Sequence, residues 1–183
     1  MELELRPWTT GDAADLRRAV RASPDLVLQL GDADLGSESA CARFIERELA
    51  TTDESRVSRA IVTEDSVVGS VGLSHIEYRN GTAWVSYWVA SPFRGRGLAT
   101  RAVIALTEHA FADPGLFRLE LGHRVDNPAS CRVAARAGFA AEGIERSKLR
   151  YADLRFDVET HARLVTDPAV TYPPQHLSGT FEP

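Results

Sequence analysis

Cysteine is scarce in this chain. Cys41 and Cys131 stand alone and far apart, which excludes a disulfide framework and makes two free thiols in a reducing, cytoplasmic setting the expectation. No run of residues is long and apolar enough to cross a bilayer. The opening Met1-Glu2-Leu3-Glu4-Leu5-Arg6 has neither the basic start nor the apolar stretch of a secretory leader. Clustered lysine and arginine are missing too: the net charge is -5 with both signs mixed along the chain, which excludes a nucleic-acid-binding footprint and suits a cationic or amine partner. No internal repeat or low-complexity segment is present.

What the chain does have is material for a core. Its 183 residues are 44% hydrophobic, enough for one α/β domain and against two. We read a single domain over residues 1–166. An extended tail follows over 167–183, where Pro168, Pro173 and Pro174 stand without periodicity.

Along the domain the period changes several times. Met1, Leu3 and Leu5 alternate with charged residues as in a half-buried strand. Thr10 is expected to cap a helix with Asp12 in its first turn and Ala13, Leu16, Ala19 and Val20 at helical spacing. After the break from Gly31 to Gly36, Ser37 caps a second helix carrying Cys41, Phe44, Ile45 and Leu49. Strands are predicted over 59–63 and 67–76 around a Glu64-Asp65 turn, and over 82–89 after the hairpin signal Asn80-Gly81, which makes a meander. A helix with Ala99, Ala102, Val103, Leu106 and Ala110 on one side ends at Asp113-Pro114-Gly115. A short strand over 117–121, a helix over 128–137 and a left-handed cap at Gly138 follow. The last pattern sets Phe156, Val158, Thr160, Ala162 and Leu164 against Asp157, Glu159, His161 and Arg163, a strand with one wet face.

The segment Arg94-Gly95-Arg96-Gly97-Leu98-Ala99 lies between a predicted strand and a predicted helix. Glycines there let backbone N–H groups converge on an anion, and the helix dipole assists. It is not a P-loop, since no Gly-Lys-Ser/Thr follows, and Thr100 replaces the third glycine of the dinucleotide fingerprint. A pyrophosphate fits, with Arg94 or Arg96 adding a charge-assisted contact. Alone, the same residues read better as a tight turn with two surface arginines. The remaining arginines read as solvated faces.

The loop is not alone. Tyr87-Trp88-Val89 precedes it, and Asn127-x-x-Ser130, Arg132-Val133-Ala134 and Gly138-Phe139 follow at fixed distances. Together these residues resemble the GNAT N-acetyltransferase superfamily, in its RimJ/RimL-type branch, with looser agreement from Leu3 to about Leu164. The resemblance implies a GNAT fold of the α/β (α+β) class: a mixed, mostly antiparallel twisted sheet flanked by helices, whose central strands 82–90 and 117–121 splay apart around acyl-CoA. It implies that main-chain groups around Trp88 and Val89 hold the pantetheine arm. The loop Arg94, Gly95, Arg96, Gly97, Leu98, Ala99 and Thr100 would take the pyrophosphate, Asn127 would touch the arm, and Ser130 would sit near its sulfur. The implied activity is transfer of an acetyl or other short acyl group from acyl-CoA to a primary amine, a protein N-terminus or a small molecule. No metal, nucleic acid or membrane is implied, and a homodimer is compatible.

The chain also departs from the family. Ala134 stands where many members carry a tyrosine that protonates the leaving thiolate, so Ser130 is the candidate donor. Its other reading is a helix-terminal serine bonding its own backbone. Trp84 and Leu149 stand at positions where relatives carry carboxylates. His75 and Glu77 are then the candidate bases, relaying a proton through water. Each reads more readily as an ordinary strand or hairpin residue, and an amine arriving neutral needs no base at all. Two other functions fit less well: a catalytically weak acyl-CoA-binding module or sensor, and an ATP-binding protein, which would want a lysine in the loop.

Overall fold

A computed structural model of the chain describes residues 2–31, 33–51, 53–112, 115–171 and 176–177. Met1, Asp113-Pro114 and Pro173-Pro174, all used in the sequence reading, lie outside the described residues.

The alternating amino terminus pairs as strand β1 (Glu4–Arg6), with Leu3 and Leu5 buried. The helix cap predicted at Thr10 sits one residue earlier. Thr9 caps a short 3-10 turn (Thr10–Asp12) that leads into α1 (Ala13–Ala22), and the Asp12 carboxylate accepts from Thr9 N at 2.9 Å. The cap moves because that carboxylate also receives the Arg6 guanidinium, at 2.7 and 2.9 Å, which binds the end of β1 to the start of α1. A short helix α2 (Asp25–Gln29), not foreseen, precedes α3 (Glu38–Phe44). Ser37 caps α3 as expected, accepting from Ala40 N at 3.1 Å.

The meander is β2 (Val57–Thr63), β3 (Ser66–Glu77) and β4 (Thr82–Val89). Glu64 and Asp65 both turn through positive φ, 51° and 61°, between β2 and β3. Then come α4 (Leu98–Ala112), β5 (Arg118–Arg124) and α5 (Pro128–Arg136). Strand β5 runs to Arg124 rather than stopping at Leu121, because β7 (Leu154–Leu164) pairs with it along its full length. Strand β6 (Ala140–Tyr151) gave no sequence signal. It is an edge strand exposed nearly throughout, so it lacks the alternation that burial of one face imposes.

Among the described residues eight strands form one mixed sheet, ordered β6-β7-β5-β4-β3-β2-β1-β8, where β8 is His176–Leu177 pairing parallel with β1. The central pair is also parallel, and short. Thr82, Ala83 and Trp84 of β4 match Arg118, Leu119 and Glu120 of β5, and beyond Trp84 the two strands part. One face packs Val103 and Leu106 of α4 and Ala134 of α5 against Val85, Leu119 and Leu121. The other packs Leu16, Phe44 and Ile45 against Ala60, Val62 and Trp88.

The wet face expected on β7 is only half wet. His161 and Arg163 are 3% and 2% exposed, since α4, α5 and the 137–139 turn close over them. Arg163 donates to Glu108 Oε1 at 2.7 Å and its guanidinium lies 5.8 Å from the Phe111 ring centroid. Arg59 is also buried, at 2%. These two arginines are therefore core residues rather than solvated ones.

Candidate active site

Where β4 and β5 part, a cavity of about 310 Å³ opens. Its floor is the end of β4 (Tyr87, Trp88, Val89), its rim the loop and first turn of α4 (Arg94, Gly95, Gly97, Leu98, Ala99, Thr100), and its far wall α5 (Asn127, Ser130, Val133). Ten of the eleven positions expected to hold the cofactor thus share one cavity. Arg96 does not line it: its guanidinium lies over the Phe93 ring, 5.5 Å from the centroid, and donates to Pro92 O.

The backbone here is built to donate. Gly95 and Gly97 have φ of 75° and 76°, a region other residues adopt only with strain. The loop therefore turns sharply into α4. The helical ladder opens with Arg101 N donating to Gly97 O at 3.0 Å. The N–H groups of Leu98, Ala99 and Thr100 consequently have no acceptor within the helix and point out of its amino-terminal end. Arg94 is already engaged, donating to Val89 O at 2.8 Å and pairing with Asp25 at 2.8 Å. Positive charge at the cavity comes also from Arg132 and Arg136 of α5. Helical spacing puts these two on one face; Arg132 entered the motif without a role, and Arg136, four residues on, was passed over.

Strand β4 adds a second set of donors. Ala90 N donates to Val68 O, and in an antiparallel ladder the residues that bond the neighbouring strand alternate. Trp88 and Ala90 therefore face β3, while the N–H groups of Tyr87 and Val89 face the notch from which β5 has departed.

Asn127 caps α5: its Oδ1 accepts from Ser130 N at 3.1 Å, and its Nδ2 donates to Ser130 Oγ at 3.2 Å. Because Ser130 Oγ accepts from Asn127, its own proton is available to a partner in the cavity. The Tyr87 hydroxyl lies buried beside it without a well-aligned hydrogen bond. Burial pushes the Tyr87 phenol upward, partly offset by the nearby Ser130 hydroxyl, so Tyr87 is a neutral O–H at neutral pH.

His75 and Glu77 lie elsewhere. Between Ser74 and Glu77 the β3–β4 register shifts at a bulge, where His75 has φ 52°, is exposed, and has Nδ1 3.2 Å from Ser74 Oγ. Glu77 accepts from Arg79 N and Asn80 N at 2.8 and 2.9 Å, holding the hairpin turn. Neither lines the cavity. Trp84 and Trp88 share a face opposite Tyr87, as alternation required. Trp88 packs 6.2 Å from Trp8, and Trp84 lies 4.8 Å beneath Lys148 Nζ of β6.

Comparison with known proteins gives a consistent family. The family model described as an acetyltransferase (GNAT) domain matches residues 2–140. A ribosomal-protein-serine acetyltransferase of Escherichia coli (strain K12) is 35% identical over 105 residues, 57% of this chain and 59% of that protein. The chain thus spans less than two thirds of that relative's length. Among solved structures, the microcin C7 self-immunity acetyltransferase in complex with acetyl-CoA and AMP superposes with a TM-score of 0.80 at 23% identity, over 90% of this chain and 93% of that one. Mycobacterium smegmatis RimJ in complex with CoA-disulfide gives 0.75 at 25%, over 88% and 81%.

Proposed function

The chain belongs to the GNAT acetyltransferase family, in its RimJ/RimL-like branch, and from that premise we propose that it moves an acetyl group from acetyl-CoA to a primary amine. One observation carries the reading: the donor-rich start of α4, the unpaired edge of β4 and the Asn127–Ser130 cap face the same cavity. The fit is chemical as well as spatial. A pyrophosphate needs convergent N–H groups and positive charge, and Leu98, Ala99 and Thr100 with Arg132 and Arg136 supply both.

The thioester, when bound, supplies an activated acyl group and a sulfur leaving group. The chain's own residues orient and protonate. Tyr87 and Val89 N–H groups hold the arm and polarise the carbonyl oxygen. Ser130 Oγ, oriented by Asn127 Nδ2, passes its proton to the departing sulfur, in place of the tyrosine that Ala134 replaces, and regains one from the acylated amine nitrogen, which sheds its proton through water. No fixed base is assigned inside the cavity. The amine reacts when it arrives neutral, and holding it against the thioester supplies most of the rate. His75 lies outside the cavity with its ring open to water, so His75→Ala should leave kcat/KM unchanged, and a clear loss would make it a proton relay.

The acceptor we propose is an amine on a protein, in line with the relative named for a ribosomal-protein serine. A cytoplasmic setting agrees with two free cysteines. A weakly catalytic acyl-CoA sensor is the second reading, favoured by one observation: Asp25, a carboxylate at the cavity, is already paired with Arg94. Thiol release from acetyl-CoA, measured across peptide amino termini and small amines, separates the two. The enzyme releases thiol with at least one acceptor, and the sensor binds CoA but releases none. Gly97→Val should abolish CoA binding by calorimetry while leaving the fold intact. Undiminished affinity in that variant would sink the loop assignment.

A further inference from the structure

Away from the cavity, four ligand-type side chains meet between the sheet and α5. The β5–β7 register sets His123 opposite Glu159, and His161 follows on the same face of β7. Cys131 of α5 closes the group, with one ligand atom from each of the four within 4.8 Å of the others. Both imidazoles are buried, 6% and 3% exposed, and none of the four lines the cavity.

The outer ring nitrogens decide the tautomers. A carbonyl only accepts, so His123 Nδ1, 2.9 Å from Arg124 O, and His161 Nδ1, 3.4 Å from Phe139 O, carry the protons. In the neutral rings both Nε2 atoms then present lone pairs, 3.0 Å apart, with Glu159 Oε2 at 3.3 and 3.2 Å from them. Three acceptors converge, and the Cys131 thiol has a single proton to give. Such an arrangement calls for a cation at its centre. The separations among His123, His161 and Glu159 suit a metal, since ligand atoms about 2.0–2.1 Å from a tetrahedral zinc stand about 3.3–3.4 Å apart. Cys131 Sγ, in a group that spans 4.8 Å, has to close in on binding. Backbone anchoring of the other nitrogen is also how ligating imidazoles are oriented. Glu159, with 29% of its side chain exposed, gives access from solvent.

We propose that His123, His161, Glu159 and Cys131 bind a zinc-like divalent ion that ties α5 to β5 and β7. Two nitrogens, a thiolate and a carboxylate suit a borderline-soft ion, whereas magnesium and calcium take oxygen. On binding, the Cys131 S–H bond gives way to a sulfur–metal bond and its proton leaves to solvent, with no electron transferred. Cys131 adjoins Ser130, so the ion holds the turn of α5 that faces the cavity. The site is separate from the acyl transfer proposed above and does not depend on it.

The test uses the full-length, tag-free protein, stripped with a chelator and dialysed. Titration with Co²⁺ should reach about one equivalent, with the intense visible bands of a tetrahedral site and a near-ultraviolet thiolate band that Cys131→Ser removes. Zn²⁺ should displace the Co²⁺, and calorimetry in buffers of different ionisation heat should find about one proton released per ion. His161→Gln should weaken Zn²⁺ binding more than about 100-fold, beyond the usual loss of an outer hydrogen-bond partner. If that variant misfolds, Cys131→Ser decides, since Cys131 is only partly buried. Equal uptake by wild type and Cys131→Ser without a thiolate band, an octahedral spectrum, or no uptake at micromolar Zn²⁺ overturns the proposal. The last outcome would leave a shared proton as the cation.

Discussion

Gly138 ends α5 at φ 83°, and a Cβ built there would come 2.7 Å from Val170 Cγ2 and 3.2 Å from Arg163 Nε. Backbone strain of about 1–2 kcal/mol and the contact with Val170 add together. Gly138→Ala should therefore lower Tm by several degrees in thermal denaturation, more than Gly95→Ala, where the added Cβ meets nothing within 4 Å. Ser130 and Tyr87 make a contrasting pair. Ser130→Ala should cut kcat about 10- to 100-fold with little change in KM for acetyl-CoA, if Ser130 Oγ supplies the proton. Tyr87→Phe removes a buried hydroxyl that has no well-aligned partner, so Tm should stay level or rise. A loss of kcat in that variant would then report chemistry rather than folding.

Elements are held together here by polar links as well as by core. The Arg6–Asp12 pair joins β1 to the turn before α1 at 2.7 Å, with the Asp12 side chain 9% exposed. Burial alone would raise the Asp12 carboxyl, but the Arg6 guanidinium and the Thr9 N–H outweigh it and hold it below the usual carboxylate range. A folded-state pKa below the unfolded one contributes stability that is complete above about pH 4 and fades as pH falls through the folded value. Acid titration of Tm should show this loss in the wild type, and Asp12→Asn should be less stable at pH 7 but flatter below pH 4. A wild-type curve parallel to that of Asp12→Asn would remove the pair from the account. The long β6–β7 hairpin is linked differently. Arg118 of β5 bonds both Glu142 of β6 and Glu120 of its own strand, while Arg124 stacks 3.7 Å over Phe156.

Across the whole molecule, the splay of β4 from β5 divides the sheet into a meander half and a hairpin half, and the cavity lies at the division. A ligand bound there touches β4, α4 and α5 together and stabilises both halves by mass action. CoA at about 100 times its Kd should add about 2.7 kcal/mol to unfolding free energy, visible as a single upward-shifted transition by calorimetry. Under the loop assignment, Gly97→Val should show no shift.

Local chemistry was legible before any fold. Asn80-Gly81, Ser37, Gly138 and the glycines at 95 and 97 each act over a few residues, through positive φ or a cap, so chain order alone announces them. The meander and the α4 and α5 faces were legible for the same reason, since burial of one face imposes a period. Strand β6 was not, because an exposed edge imposes none. The burial of Arg163, the withdrawal of His75 and Glu77 from the cavity, and the meeting of His123, Cys131, Glu159 and His161 were decided by tertiary structure alone. Each depends on a strand register, a bulge or a helix crossing between residues distant in the chain, and no spacing in the sequence encodes those separations.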